Sequence, residues 1–222
     1  MMTNLFSTFD PATSTNMSMN WLSVFLMFIM MPFPFWMLKN RFQMIINKMI
    51  IKLYKEFKML TGNNPMGFIL MFITMFTIIM VNNSMGLLPY VFTSSSHMMY
   101  TLSLALPMWM SLMMFGWMNK SQEMLAHLIP TGTPTVLMPF MVCIETISNM
   151  IRPGALAVRL MANMIAGHLL MSLLGDSATS NNIMLIMIML FQTMLMIFEM
   201  AVAIIQAYVF SILTTLYTSE VI

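Results

Sequence analysis

The chain has 222 residues, of which 59% are hydrophobic and only 7% charged, far below the roughly 25% charged fraction of an ordinary soluble domain. Its formal net charge of +2 rests on few basic residues, most of them in one block, which excludes the dense patches that bind nucleic acid. One cysteine, Cys143, and three scattered histidines exclude a disulfide framework, a thiolate metal cluster and zinc-ligand spacing, so no metal or cofactor is expected.

The uncharged runs 11–38, 59–119 and 177–198 each exceed the roughly 20 residues that cross a bilayer as a helix. These runs predict an all-α membrane protein, with about five membrane-embedded helices and one amphipathic surface helix in a single domain over residues 1–222. Methionine occurs 36 times where other apolar types would normally fill a span. Such enrichment fits a genetic code that reads an isoleucine codon as methionine, as in animal mitochondria. No Lys or Arg precedes Lys39, so neither a basic signal-peptide region nor an Arg-rich transit peptide is read, and the product is expected to be made where it works.

A polar stretch, 3–20, precedes span one at 21–38. Segment 39–60 follows, where Lys39, Arg41, Lys48, Lys52, Lys55 and Lys58 supply six of the nine basic residues against the acid Glu56. At 100° per residue, Phe42, Ile46, Met49, Leu53, Phe57 and Leu60 share one side, and Arg41, Lys48, Lys52 and Lys55 another. Beside a span this reads as a helix lying on the membrane surface; the same pattern also suits a calmodulin-like target or an RNA-binding helix.

Thr61, Gly62, Asn63, Asn64 and Pro65 predict a turn, 66–88 a second span, and 98–118 a third, closing at Asn119 and Lys120. Residues 1–20 and 89–97 contain no Lys or Arg. The positive-inside rule therefore puts the 39–58 block and Lys120 inside and the N-terminus outside. After a loop with Pro130, Gly132 and Pro134, two apolar segments, 135–174 and 183–217, are joined by a turn at 175–182. Helices of about 40 and 35 residues measure roughly 60 and 53 Å against a hydrocarbon core of about 30 Å. A long, steeply tilted hairpin is predicted, with Pro139 and Pro153 available to kink its first helix.

That hairpin carries nearly all the intramembrane charge: Glu145, Arg152, Arg159 and His168 on its first helix and Glu199 on its second. Ionisable groups in lipid are costly and usually line a protein interior or a water path. Glu145, Asn149, Arg152, Leu156, Arg159 and Asn163 recur every three or four residues, a nearly continuous stripe on one helical face. Gln192, Glu199 and Gln206 recur every seven on the partner. Two polar stripes inside a membrane read as an ion pathway or a binding groove; the alternative is that Glu199 or Glu145 simply neutralises an arginine in a packed bundle. His168 lies nine residues from Arg159, about 180° around an ideal helix, so it faces another wall or a bulge near Gly167 turns it. Cys143 reads as a small packed hydrophobe, Asp176 as a solvated turn residue, and His97 and His127 as loop or interface residues.

The segments Ile144-Glu145-Thr146-Ile147-Ser148, Ala155-Leu156-Ala157-Val158-Arg159-Leu160-Met161-Ala162-Asn163, Ala166-Gly167-His168-Leu169-Leu170 and Gln206-Ala207-Tyr208-Val209-Phe210 closely resemble the subunit a family of mitochondrial F-type ATP synthases. The similarity in layout extends over essentially the whole chain. It implies a proton-translocating stator subunit, with Arg159 facing a ring of proteolipid c subunits and two aqueous half-channels reaching that ring from opposite sides. By the same resemblance, Asn163, His168, Glu199 and Gln206 belong to the path from the intermembrane space, and Glu145 to the matrix-side path. Other stator subunits, membrane lipid and transported protons are the implied partners, in the mitochondrial inner membrane, with the N-terminus in the intermembrane space and the C-terminus in the matrix. Bacterial relatives carry a glutamate where His168 stands and a histidine where Glu199 stands, so the sequence follows the animal mitochondrial pattern. Arg152 receives no role from the family. A secondary cation transporter and a passive structural subunit of a respiratory complex are the alternatives; no internal inverted repeat speaks for the first. The chain has no Walker-type phosphate loop, so nucleotide chemistry is expected elsewhere.

Overall fold

A computed structural model describes residues 4–14, 16–32, 35, 37–62, 66–129, 134, 136–180 and 184–221. The expected turn residues Asn63, Asn64 and Pro65, the loop residues Pro130 and Gly132, the hairpin residues 181–183 and the side chain of His127 lie outside the described residues. Short 3-10 helices cover Leu5–Phe9, Met19–Phe25 and Ser94–Ser96, and the α-helices are α1 (Leu26–Met30), α2 (Arg41–Thr61), α3 (Met66–Gly86), α4 (Met98–Asn119), α5 (Ser121–His127), α6 (Met138–Ser180) and α7 (Leu185–Val221). Among the described residues no strand forms. Helices α3, α4, α6 and α7 are long and apolar enough to cross a membrane, which makes this an all-α membrane protein.

Two boundaries differ from the sequence reading. Where a span over 21–38 is expected, the helix is short, Met19–Met30, and more than half of it is 3-10. It measures only about 20 Å. Pro32 accounts for this: a proline disfavours the helical conformation at the residue before it, and Met31 is extended at φ −75°, ψ 116°. The second difference is at the hairpin, where α6 runs through Gly175 and Asp176 to Ser180 instead of turning at 175. A lone glycine costs a helix only about 1 kcal/mol, too little to stop it.

Helices α6 and α7 have 43 and 37 residues, about 65 and 56 Å at roughly 1.5 Å per residue. Pro139 sits in the first turn of α6, where its missing N–H has no partner to lose. Pro153 lies inside α6 and Pro107 inside α4; each removes a ladder hydrogen bond, yet the helix continues through both. The hairpin packs against α3 through α7 and against α4 through α6. At its centre Ala105, Ala157 and Ala207 are buried among Phe76, Ile79, Leu156, Leu160 and Phe210. Small residues there let the helix backbones approach, which is how helices associate where lipid removes the hydrophobic drive.

Helix α2 starts with a capping box, Asn40 receiving the Gln43 backbone N–H and Gln43 receiving that of Asn40. It ends at Gly62, whose φ of +68° favours glycine. Phe57 is fully buried with Ile69, Phe72, Ile73 and Met108, while Ile50, Leu53 and Tyr54 pack alongside. Phe42, Met49 and Leu60, expected on the same side, are exposed. The apolar surface of α2 is therefore divided: one sector docks on the bundle and another is left bare.

The two ends of the bundle are tied differently. At one, the His97 ring meets the Phe9 carbonyl at 2.9 Å and packs with Trp21 and Phe92, so the N-terminal segment covers the loop before α4. At the other, the Tyr208 hydroxyl donates to Glu56 Oε2 at 3.1 Å, joining α7 to the lysine-bearing α2.

Candidate functional site

The register of the hairpin brings the two polar stripes together. Arg159 stands near the midpoint of α6, exposed, with no hydrogen-bond or ion-pair partner among the described residues. Gln206 shares a small cleft with it, closed by Leu156, Leu160, Val209 and Phe210. Asn163, one turn further along α6, is half-buried. Glu199 is only 6% exposed, and its carboxylate packs directly on Gly167, where a Cβ would overlap Oε2, Cδ and Oε1. Glycine is thus required at 167 for the Glu199 carboxylate to enter the seam. Among the described residues this carboxylate has no hydrogen-bond or ion-pair partner.

His168 faces another wall, and no bulge is needed, because α6 is continuous there. Its ring interacts with the Gly86 backbone at the end of α3 and meets the Phe9 ring edge-on at 6.2 Å. It lines a cavity of about 920 Å³ together with Ser172 and Asp176 of α6, Gln192 of α7, and Asp10 and Asn20 of the N-terminal segment. Asp176, expected in a solvated turn, is therefore a helical residue on a cavity wall. Around this end the His168 Nε2, both polar atoms of the Asn83 side chain and the Ser95 hydroxyl are buried without hydrogen-bond partners among the described residues. Buried polar atoms of this kind are typically satisfied by ordered water.

A second cavity of about 430 Å³ opens on the other side of Arg159, lined by Ser148, Arg152 and Arg159 of α6 and by Leu213 and Tyr217 of α7. It shares no lining residue with the first. Beside it Glu145 pairs with Arg152 at 3.3 Å, and the Arg152 guanidinium lies 5.1 Å over the Tyr217 ring. The pairing expected as an alternative to function thus holds for Glu145 with Arg152 and leaves Arg159 alone. Cys143, expected to pack as a small hydrophobe, is exposed. Among the described residues no three His, Cys, Asp or Glu side chains gather as a metal site.

Of the residues singled out in the sequence, Gln206 lies beside Arg159, Glu199 lies against Gly167, His168 lines one cavity, Glu145 pairs with Arg152 beside the other, and Asn163 is half-buried on α6. The sequence reading sets Glu145 and Arg152 on one face, seven residues or two helical turns apart, but misses the contact of Arg152 with Tyr217 on the other helix. It also misses Asn83 and Ser95, whose signal is a polar pair and a serine run bordering apolar spans.

Fold and site define a multi-pass helical membrane protein built around a polar hairpin with an unpaired arginine between two cavities. A family model described as ATP synthase A chain matches residues 17–219. The chain belongs to this family and is a membrane-embedded component of an F-type ATP synthase. It is 60% identical to the ATP synthase subunit a of Anopheles quadrimaculatus, 58% to that of Anopheles gambiae and 56% to that of Drosophila melanogaster, each over the full length of both chains.

Proposed function

We propose that this chain is the proton-conducting stator element of the complex, placed in the mitochondrial inner membrane against a ring of proteolipid c subunits, each bearing a membrane-embedded carboxylate. The observation that carries this reading is Arg159, exposed and unpaired halfway along a 43-residue apolar helix. An arginine at the bilayer centre costs at least about 2.5–3.5 kcal/mol. A carboxylate outside this chain removes that cost, and the apolar surface around Arg159, with Ile151 59% and Val158 41% exposed, offers it a membrane-embedded partner surface.

A guanidinium cannot lose its proton at any relevant pH, so it holds an arriving ring carboxylate in its charged form. Neutral sites pass on into lipid while charged ones are retained. During synthesis, protons enter from the intermembrane space through the cavity at His168 and move by way of Asn163, Glu199 and Gln206 to the ring. After nearly a full turn they leave through the Arg152 cavity and Glu145 to the matrix. Each unit charge falling through 100 mV releases about 2.3 kcal/mol, so several protons sum to one ATP. The chain itself is not catalytic and takes no cofactor. The lysines of α2 and Lys120 face the matrix by the positive-inside rule, with the N-terminus in the intermembrane space and the C-terminus in the matrix.

The test is Arg159→Ala in the whole complex, assayed for ATP-driven proton pumping in proteoliposomes. Pumping is expected to vanish with assembly intact, and Arg159→Lys to rescue poorly, because an ammonium lacks the planar fork and can shed its proton. Normal pumping by an assembled Arg159→Ala complex would end the proposal.

A further inference from the structure

Arg152 holds two partners at once. Its Nη2 lies 3.3 Å from Glu145 Oε1, while its Cζ lies over the Tyr217 ring, 5.1 Å from the centroid. A guanidinium can do both without competition, because its donors lie in the plane and its cation–π contact is perpendicular to it. Tyr217 is on α7 and Glu145 on α6, so one charge ties a carboxylate to the seam between the helices. Both members of the ion pair are only partly exposed, 27% and 33%, so the attraction is screened less than at an open surface.

The placement adds a second point. Arg152 is two turns from Arg159 on the same face, and both line the 430 Å³ cavity. Two bare guanidinium groups there would offer a ring carboxylate two stopping places about 10 Å apart along the helix. Because Glu145 neutralises Arg152, Arg159 remains the one unpaired guanidinium of the cavity among the described residues.

We infer that Arg152 is a positioning residue for the matrix-side leg of proton transfer: it fixes the Glu145 carboxylate beside the cavity that Arg152 lines and is itself kept by Glu145 and Tyr217 from competing with Arg159. The inference rests on the assignment of Glu145 to the matrix-side path. A residue that acts through Glu145 loses its effect once that carboxylate is gone, whereas a brace acting only through Tyr217 does not.

The test uses whole ATP synthase in proteoliposomes, with ATP synthesis driven by an imposed proton gradient and assembly checked on native gels. Arg152→Gln is expected to assemble normally and slow synthesis 5-fold or more, and Arg152→Lys, which keeps the charge, to recover at least half of the rate. In a Glu145→Gln background, Arg152→Gln is expected to cause no further loss, leaving the residual rate unchanged or raising it, because an Arg152 bared of Glu145 no longer competes with Arg159. An equal loss in both backgrounds, no recovery with lysine, or a normal rate for Arg152→Gln beside a damaged Glu145→Gln would overturn the role of Arg152 alone. A normal rate for Glu145→Gln would remove the assignment of Glu145 and this inference with it.

Discussion

Gly167→Ala is the sharpest perturbation of the proposed path, because it inserts one methyl group against one carboxylate. The new Cβ would meet Glu199 Oε1 at 2.7 Å, where non-bonded heavy atoms settle at about 3.5 Å or more, so the carboxyl group must retreat by roughly 1 Å. Only the far end of a flexible side chain has to move, and an off-rotamer adjustment of that size costs on the order of 0.5–1.5 kcal/mol. Replacing glycine by alanine inside a helix returns about 0.5–1 kcal/mol. The two nearly cancel, and assembly should be close to normal. Function has no such compensation: a misplacement of about 1 Å in a transferring group can cost on the order of 100-fold in rate.

The expected result is therefore a complex of normal abundance whose proton pumping, followed by quenching of a pH-sensitive dye in proteoliposomes, falls between about 10- and 100-fold. Glu199→Asp in the same background shortens the side chain by one methylene and should return part of the rate. Normal pumping by assembled Gly167→Ala complexes, or loss of the complex altogether, would refute the claim that Gly167 serves to seat this carboxylate.

Three further outcomes follow from the same geometry. In a map of the whole complex, α6 and α7 should lie at more than about 45° to the membrane normal, since about 65 and 56 Å of helix do not otherwise fit about 30 Å of hydrocarbon; two upright helices with long aqueous extensions would refute this. Phe57→Ala should cost about 3 kcal/mol of packing by emptying the contact that docks α2 on α3, read as faster proteolysis at the α2 lysines, and unchanged proteolysis would count against that anchor. With Cys143 replaced by serine, cysteines at 145 and 168 should react with a membrane-impermeant thiol reagent from opposite faces, and labelling of both from one face would indicate a continuous pore or a wrong topology.

The α6 stripe was legible in the sequence because helical position is local: a spacing of three, four or seven residues fixes the face whatever packs against it. The 180° offset of His168 followed from the same rule, but its surroundings, Gly86 and Phe9, come from segments some 80 and 160 residues away. The seat of Glu199 on Gly167 depends on the register of two helices whose joining turn was misplaced by several residues, so no spacing rule could supply it. Gly175 misled because it is a weak stop inside a strongly apolar helix. Hydropathy predicts too long a first span because it registers Pro32 only as one uncharged residue, whereas the steric effect of Pro32 falls on Met31. The contact of Arg152 with Tyr217 is beyond any spacing rule, because the ring lies 65 residues away on the other helix.

The two cavities stand apart because the seam between them is filled: Leu156, Ala157, Leu160, Met164, Ala207 and Phe210 are each 6% exposed or less, leaving no lining residue in common. Packing alone would not stop a proton, which needs only a transient file of water. On the proposed reading, Arg159 supplies the electrostatic part of the barrier. A unit positive charge 4 Å from a guanidinium is disfavoured by about 4 kcal/mol at an effective dielectric of about 20, close to a thousandfold in occupancy. The sign reverses for a carboxylate, which the same charge attracts by a similar amount. On the proposed reading one fixed cation therefore rejects the free proton and holds the ring site that has just released one. Direct leakage and productive transfer are, on that reading, separated by charge, which calls for an arginine unpaired within its own chain and accords with Glu145 pairing with Arg152 instead.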